Sequence, residues 1–183
     1  MPTTSPTVPD TANMPMTKST ESLRPARPGD LDTINHLVAE AIEDWPLPER
    51  VRRLALPAYR YTEADLMFLE VTVLERAGEV VGVAAWETAE PRELPEGAAD
   101  GLLLHGLYVG RADRGQGVGR QLVEACRSAA HEAGVAGVLV KAQASAASFF
   151  ATMGFVPVPV RDRDRDYEQR YWLPSLPSGG GGN

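Results

Sequence analysis

Apolar residues recur along the chain with two different periods, and the change from one to the other predicts an order of elements. Residues 22–27 read as a short edge strand that ends where Pro28-Gly29-Asp30 breaks the pattern. Leu31, Ile34, Leu37, Val38, Ala41 and Ile42 then fall at spacings of three and four, one stripe of a helix with Asp30 placed to cap it. Trp45-Pro46-Leu47-Pro48 ends that helix. A second helix starts near Pro48, with Val51, Leu54 and Ala55 facing inward before Pro57 intervenes. From 66 to 76, Met67, Leu69, Val71 and Val73 alternate with Phe68, Glu70 and Thr72, as a strand requires. Ala77-Gly78-Glu79 turns the chain into a return strand through Val80, Val81, Val83, Ala85 and Trp86, which makes a hairpin.

The run 102–109 is almost continuously apolar, which suits a central strand covered on both faces. A glycine-rich turn follows. Leu122, Val123, Cys126, Ala129 and Ala130 then mark a helix over 118–133, closed by Gly134. Residues 137–141 form another buried strand, 144–153 a short helix ending at Gly154, and 155–160 and 167–173 two last strands around the charged turn 161–166. The order is β, α, α, β, β, β, α, β, α, β, β. It describes a mixed α/β domain with antiparallel pairs around one strand-turn-helix unit, since a doubly wound fold would alternate more regularly.

Length and composition limit this picture without changing it. A chain of 183 residues, 43% hydrophobic and 23% charged, fits one globular domain. Residues 1–20 are rich in Thr, Pro and Ser and are expected to be disordered; 174–183, with four consecutive glycines, is expected to be a flexible tail. The domain is therefore placed at 21–173. A formal net charge of −7 speaks against a nucleic-acid partner, whose phosphates need clustered Lys and Arg. There is no signal-peptide pattern and no apolar run of the roughly 18–20 residues a membrane span needs, so a cytoplasmic protein without membrane association is expected. The lone Cys126 can form neither an internal disulfide nor a zinc site and reads as a buried structural thiol; no metal site is expected.

The chemistry concentrates in Arg114-Gly115-Gln116-Gly117-Val118-Gly119, between the apolar strand and the helix it feeds. A helix N-terminus has unpaired amides and a partial positive charge, so it attracts phosphate. Glycines there let a diphosphate approach the backbone and reach left-handed dihedrals, and Arg111, Arg114 and Arg120 add cations nearby. The dinucleotide fingerprint requires Gly-x-Gly-x-x-Gly on the first strand, whereas here the spacing is Gly-x-Gly-x-Gly past mid-chain. A nucleoside-triphosphate loop would need Gly-Lys-Ser/Thr, which is absent.

Arg114, Gly117 and Gly119 match Arg/Gln-x-x-Gly-x-Gly/Ala, and 147–155 is a short helix ending in Gly154-Phe155. With Leu107-Tyr108-Val109 as the approach strand, these motifs resemble the GNAT superfamily of N-acetyltransferases across roughly 22–173. The resemblance implies the GNAT fold: a mixed, mostly antiparallel sheet of six or seven strands, splayed between its fourth and fifth strands, with about four helices. It further implies acetyl-CoA as acyl donor. Leu107, Tyr108 and Val109 would run beside the pantetheine arm, and Arg114, Gly115, Gln116, Gly117, Val118 and Gly119 would hold the diphosphate. Gln143 falls where relatives place a cofactor-contacting Asn, and Phe150 also borders the cofactor. The Val109 amide would receive the thioester oxygen.

Acetyl transfer to an amine needs a base, and a thiolate leaving group benefits from an acid. Many relatives place a Tyr acid where this chain has Phe150 and a Glu base where it has Leu103. Tyr108, Tyr167 and Tyr171 are candidate replacements for the acid. His105 is the candidate base: histidine is the side-chain type that exchanges protons near neutral pH, and strict alternation puts it on one face with Leu103, Leu107 and Val109. Against catalysis stands a core role for His105. The functional expectation is direct acetyl transfer to a primary amine of a small molecule, and the alternative is a non-catalytic acyl-CoA-binding regulatory module. The long loop 87–100, with Glu93, Glu96 and Asp100, is compatible with a cationic acceptor. His36 and His131 read as solvent-facing, Trp45 and Trp86 as core or rim, and 161–166 as a solvated hairpin. An exposed final strand, 167–173, is the candidate contact for a homodimer.

Overall fold

The computed structural model describes residues 21–162 and 166–175, so the expected tails 1–20 and 176–183, and residues 163–165 of the charged turn, lie outside them. Four strands run antiparallel to their neighbours in sequence order: β1 (Glu21–Pro25), β2 (Glu70–Arg76), β3 (Glu79–Thr88) and β4 (Leu102–Val109). β5 (Gly137–Lys141) lies parallel to β4, and the two-residue β6 (Val156–Pro157) and β7 (Arg170–Pro174) complete the sheet in the order β1-β2-β3-β4-β5-β7-β6. A parallel neighbour needs a crossover, here α4 (Val118–Glu132). β4 and β5 pair only at Leu102↔Val138, Leu103↔Leu139 and Leu104↔Val140. Beyond Leu104 they part, which is the expected splay.

Each face of the sheet has its own core. The buried stripe of α4, Val118, Leu122, Val123, Cys126 and Ala130, covers one face together with Phe150 of α5 (Ala147–Thr152). Gly82 of β3 lets α4 settle there, since a Cβ at that position would lie 2.6 Å from Val118 Cγ1. Burial pushes the Cys126 thiol up to about 12, in keeping with a structural role. The other face is covered by α1 (Leu31–Glu43), whose Ile34, Leu37, Val38 and Ile42 pack on Val71, Val73 and Val83. Next to it, Ala89 and Leu94 of the long loop cover Leu103, Leu139 and Trp172.

Several sequence expectations fail for local reasons. Residues 65–68 form one helical turn, α3 (Asp65–Phe68), rather than the start of β2. Asp65 Oδ2 accepts from both the N–H and the hydroxyl of Thr62, at 2.7 Å each, and this turn defeats the alternation, leaving Met67 and Phe68 exposed. The second helix, α2 (Glu49–Tyr59), continues through Pro57 and buries no residue completely; Val51 and Leu54 face solvent, while Leu56 packs beneath. The final strand is no exposed edge. β7 sits between β5 and β6 with Tyr171, Trp172 and Leu173 buried, so it offers no free strand to a second copy. Pro174 belongs to β7 and Ser175 N–H bonds Ala136 C=O at 2.8 Å, so ordered backbone extends past the expected boundary at 173.

The seat of β7 is tight at Gly137, where a Cβ would come 2.4 Å from Leu173 C=O and 2.5 Å from the Trp172 ring. Gly137→Ala is expected to destabilise the fold by about 2 kcal/mol, because backbone cannot yield as a side-chain tip can. Urea unfolding checks this, as a lower midpoint at unchanged slope.

Candidate active site

Gly117 is the N-cap of α4 with φ +86°, and Gly115 just before it has φ +74°; both are left-handed, and a Cβ on either would meet nothing within 4 Å. Their glycine character is a backbone requirement, and the space above them is open. No side chain caps α4, and the first intrahelical bond runs from Gln121 N–H to Gly117 C=O at 3.1 Å, so the amides of Val118, Gly119 and Arg120 have no intrahelical partner, whereas Gln116 N–H bonds Asp113 C=O at 3.4 Å. Gly119 differs: a Cβ there would touch Phe149 Cζ at 3.2 Å, which makes it a packing glycine. An open turn with free amides at the positive end of a 15-residue helix fits a diphosphate.

Most of the polar side chains around this turn brace it. Arg114 Nε donates to Val109 C=O at 3.1 Å, and its Nη1 meets Asp44 Oδ2 at 2.6 Å. Arg111 bonds Asp44 at 2.7 Å and Glu43 at 3.1 Å. From the other side, Arg76 donates to Asp113 at 2.7 Å and to Gln116 Oε1 at 2.8 Å. The loop is thus tied to the end of α1 and to β2. Arg120 has no ion-pair partner among the described residues, which makes it the cation of the expected three that remains available. Asp44 had no motif to announce it; its one signal is an acid at a helix C-terminus, where the dipole disfavours it unless cations answer. Arg111 and then Arg114 hold its carboxyl down at about 2.

β4 supplies the second element. Gly110 N–H donates to Val81 C=O at 3.0 Å, and with the β3 register this turns the N–H and C=O of Leu107 and Val109 away from β3, toward the side where β5 has left. Two strand residues therefore present backbone groups without a strand partner beside the phosphate turn, and of these Val109 C=O accepts from Arg114 Nε. Across the opening, Gln143 stands at the turn after β5. Phe150 is 4% exposed and packed edge-on to Phe149 and Phe155, at 5.1 and 5.2 Å, so it is a core residue and not an open contact.

His105 lies at the point of parting. Ala85 pairs with Gly106 but Trp86 pairs with Leu104, so His105 is the extra residue of a β-bulge. The bulge breaks the alternation: Leu107 and Val109 join the α4-side core, whereas Leu103 lies on the opposite face. The face expected for His105 was derived from an unbroken period of two and does not hold. Its imidazole is half exposed, with Nδ1 3.5 Å from Glu87 Oε1, a partner that no motif singles out. Among the candidate acids, burial and then Tyr59 push the phenols of Tyr108 and Tyr167 up, and Tyr171 donates to Gln169 at 2.8 Å beneath the Phe150 ring. Glu93 pairs with Lys141, and Asp100 accepts the Ala136 N–H at 2.8 Å, so two acids of the long loop are tied into the structure.

The acetyltransferase (GNAT) domain family matches residues 59–167, more than half of the chain, and the protein belongs to that family. Its acyl donor is acetyl-CoA, and the free amides of the turn and the open edge of β4 fit such a cofactor. A GCN5-related N-acetyltransferase structure from Rhodopseudomonas palustris is 23% identical, covers 88% of this chain and 99% of its own, and has a TM-score of 0.63. A second, from Ralstonia eutropha JMP134, is 17% identical with coverages of 79% and 97% and a TM-score of 0.67. AtaT complexed with acetyl-methionyl-tRNAfMet is 19% identical with coverages of 85% and 95% and a TM-score of 0.56. Among curated proteins no sequence matches. No helix among the described residues is long and apolar enough to cross a membrane.

Gly117→Ala is expected to cost about 1 kcal/mol of stability through left-handed strain and to weaken acetyl-CoA binding, read by thermal melts and calorimetry. The Asp44 carboxyl, held below its ordinary value near 4, stabilises the loop fully above that value and loses the effect as pH falls toward about 2. Hydrogen exchange of the 111–117 amides is expected to show it: Asp44→Asn accelerates their exchange at neutral pH, with a small change in global stability because the pair is exposed.

Proposed function

We propose that this protein transfers the acetyl group of acetyl-CoA directly to a primary amine of a small molecule, with His105 as the base. The observation that carries the reading is the bulge at the parting of β4 and β5, which presents an imidazole 3.5 Å from a carboxylate beside the open strand edge of Leu107 and Val109. Acetyl-CoA supplies, when bound, an acetyl thioester activated toward nucleophiles. The turn 114–119 would hold its diphosphate, Leu107 and Val109 its arm, and the Val109 amide is the donor assigned to the thioester oxygen. Glu87 orients the imidazole and stabilises it once protonated. His105 takes the proton from the attacking amine and releases it to solvent, to which it is half open. Phe150 carries no acid, and the phenols of Tyr61 and Tyr108, raised by burial, hold their protons, so as the new C–N bond forms the thioester C–S bond would break with CoA leaving as the thiolate.

Phe150 and Leu103, where relatives carry acid and base, support the competing reading of a non-catalytic acyl-CoA-binding module. A nucleic-acid acceptor, as in the AtaT complex, has on its side Arg50 and Arg53 of α2 and Arg60 just after it, against a net charge of −7. Thiol release with acetyl-CoA over a panel of amines and an aminoacyl-tRNA, run beside calorimetry, separates the three. Turnover on small amines supports the proposal; cofactor binding without any turnover overturns it. His105→Gln is expected to lower kcat about tenfold or more, and Glu87→Gln by less, both at unchanged affinity for acetyl-CoA. Unchanged turnover in His105→Gln removes it from the mechanism.

A further inference from the structure

Gly106 is the one glycine of β4, and the place where its side chain would stand is taken by two phenols. A Cβ there would overlap Tyr61 Oη and come 2.8 Å from Tyr108 Cε2. Gly106 lies between His105 and Leu107, just past Leu104, the last residue of β4 to pair with β5. Tyr61 is held against it firmly. Asn35 of α1 bonds both of its backbone groups, accepting from the N–H at 2.8 Å and donating to the C=O at 2.9 Å. The residue belongs to the α1-side core and is 6% exposed.

The Tyr61 hydroxyl has no hydrogen-bond partner among the described residues, yet it is not sealed in. The buried side-chain polar atoms without a partner are, among those residues, Arg170 Nε and Ser175 Oγ, so the Tyr61 oxygen reaches the surface through the small exposure its residue keeps. Burial and then Tyr108 push the phenol up, so the group is a neutral O–H. A phenylalanine would pack the same core without leaving a largely desolvated hydroxyl unpaired, which is costly. What the oxygen adds is volume and polarity at one point, beside the Gly106 Cα.

The course of the cofactor makes that point matter. With its diphosphate on the turn 114–119, past the C-terminal end of β4, an acyl-CoA along the open edge of Val109 and Leu107 carries its acyl end back toward Gly106 and His105. We infer that Tyr61 limits the acyl group the site takes: its hydroxyl closes the space beside Gly106 into which a chain longer than acetyl would extend. The inference deepens the proposed acetyl transfer and rests on it for the direction of the cofactor along β4. Packed sites resist extra methylenes, and an alkyl chain pressed on the hydroxyl would also strip it of water without giving it a partner. Tyr61 is therefore a specificity-determining residue, which acts on the donor that binds rather than on the chemical step.

The test titrates CoA, acetyl-CoA and butyryl-CoA by calorimetry into the full chain without acceptor, beside thiol release from both thioesters over the amine panel. The parent is expected to bind butyryl-CoA about tenfold or more weakly than acetyl-CoA. Tyr61→Phe removes only the oxygen, keeps the ring in the core, and is expected to bring the two affinities within about threefold of each other. Free CoA is expected to bind parent and variant alike, which a purely structural role would not allow, since loosened packing would weaken all three ligands together. Equal affinity of the parent for acetyl-CoA and butyryl-CoA, or a preference that Tyr61→Phe leaves unchanged, overturns the inference. Butyryl-CoA binding recovered in Tyr61→Phe, but without thiol release on any amine, upholds the inference and sinks the acetyl-transfer reading; thiol release with a donor preference indifferent to Tyr61 does the reverse.

Discussion

The parting of β4 and β5 after three residue pairs is the constraint around which the site is arranged. A strand in the middle of a sheet normally has both edges satisfied, and unpaired backbone groups away from water are costly. β4 leaves the groups of Leu107 and Val109 without a strand partner on one side, and only the Arg114 contact to Val109 C=O addresses them. The fold tolerates this because the edge opens to solvent beside the turn that starts α4. A ligand able to act as a short strand at one end and to place phosphate at the other answers both features. The bulge at His105 belongs to the same event: one extra residue in β4 redirects the strand where its neighbour leaves.

The brace around the phosphate turn shows how a flexible sequence is given one shape. Three glycines in five residues cost conformational freedom to order. Ion pairs from α1 and β2 grip the same loop from opposite sides, through Arg111 and Arg114 on one and Arg76 on the other. Each pair is weak alone at the surface. Together they hold the turn in place before any ligand arrives, which lowers the ordering that binding must supply.

What could be read from the sequence was whatever is local and periodic. The stripe of α4, the glycine pattern and the antiparallel hairpin all follow from spacing, and each is found. What was legible of the candidate site is its backbone geometry, the left-handed turn at Gly115 and Gly117 and the open strand edge at Leu107 and Val109. It was illegible where side chains meet from distant segments. Nothing in the spacing of β4 marks the bulge, so periodicity alone puts His105 on the wrong face. Arg114 matches a motif yet is spent on Val109 and Asp44, and Phe150 is buried among rings. Val51 and Leu54 have the spacing of an inward stripe, but no element lies over them. Glu87, Asp44 and Tyr61 had no pattern to announce them, because their roles depend on which residues the sheet brings near.

The position of β7 between β5 and β6 bears on how the chain is made. Segments up to β4 find their partners in sequence order and can pair as they leave the ribosome. β5 cannot be finished that way. Its free edge, with the narrow slot at Gly137, stays open until residues 170–174 emerge, and β6, which precedes β7, has no neighbour until then. Three of the seven strands are therefore joined in one late step, and a chain stopped short of β7 would present an unpaired apolar edge to its surroundings.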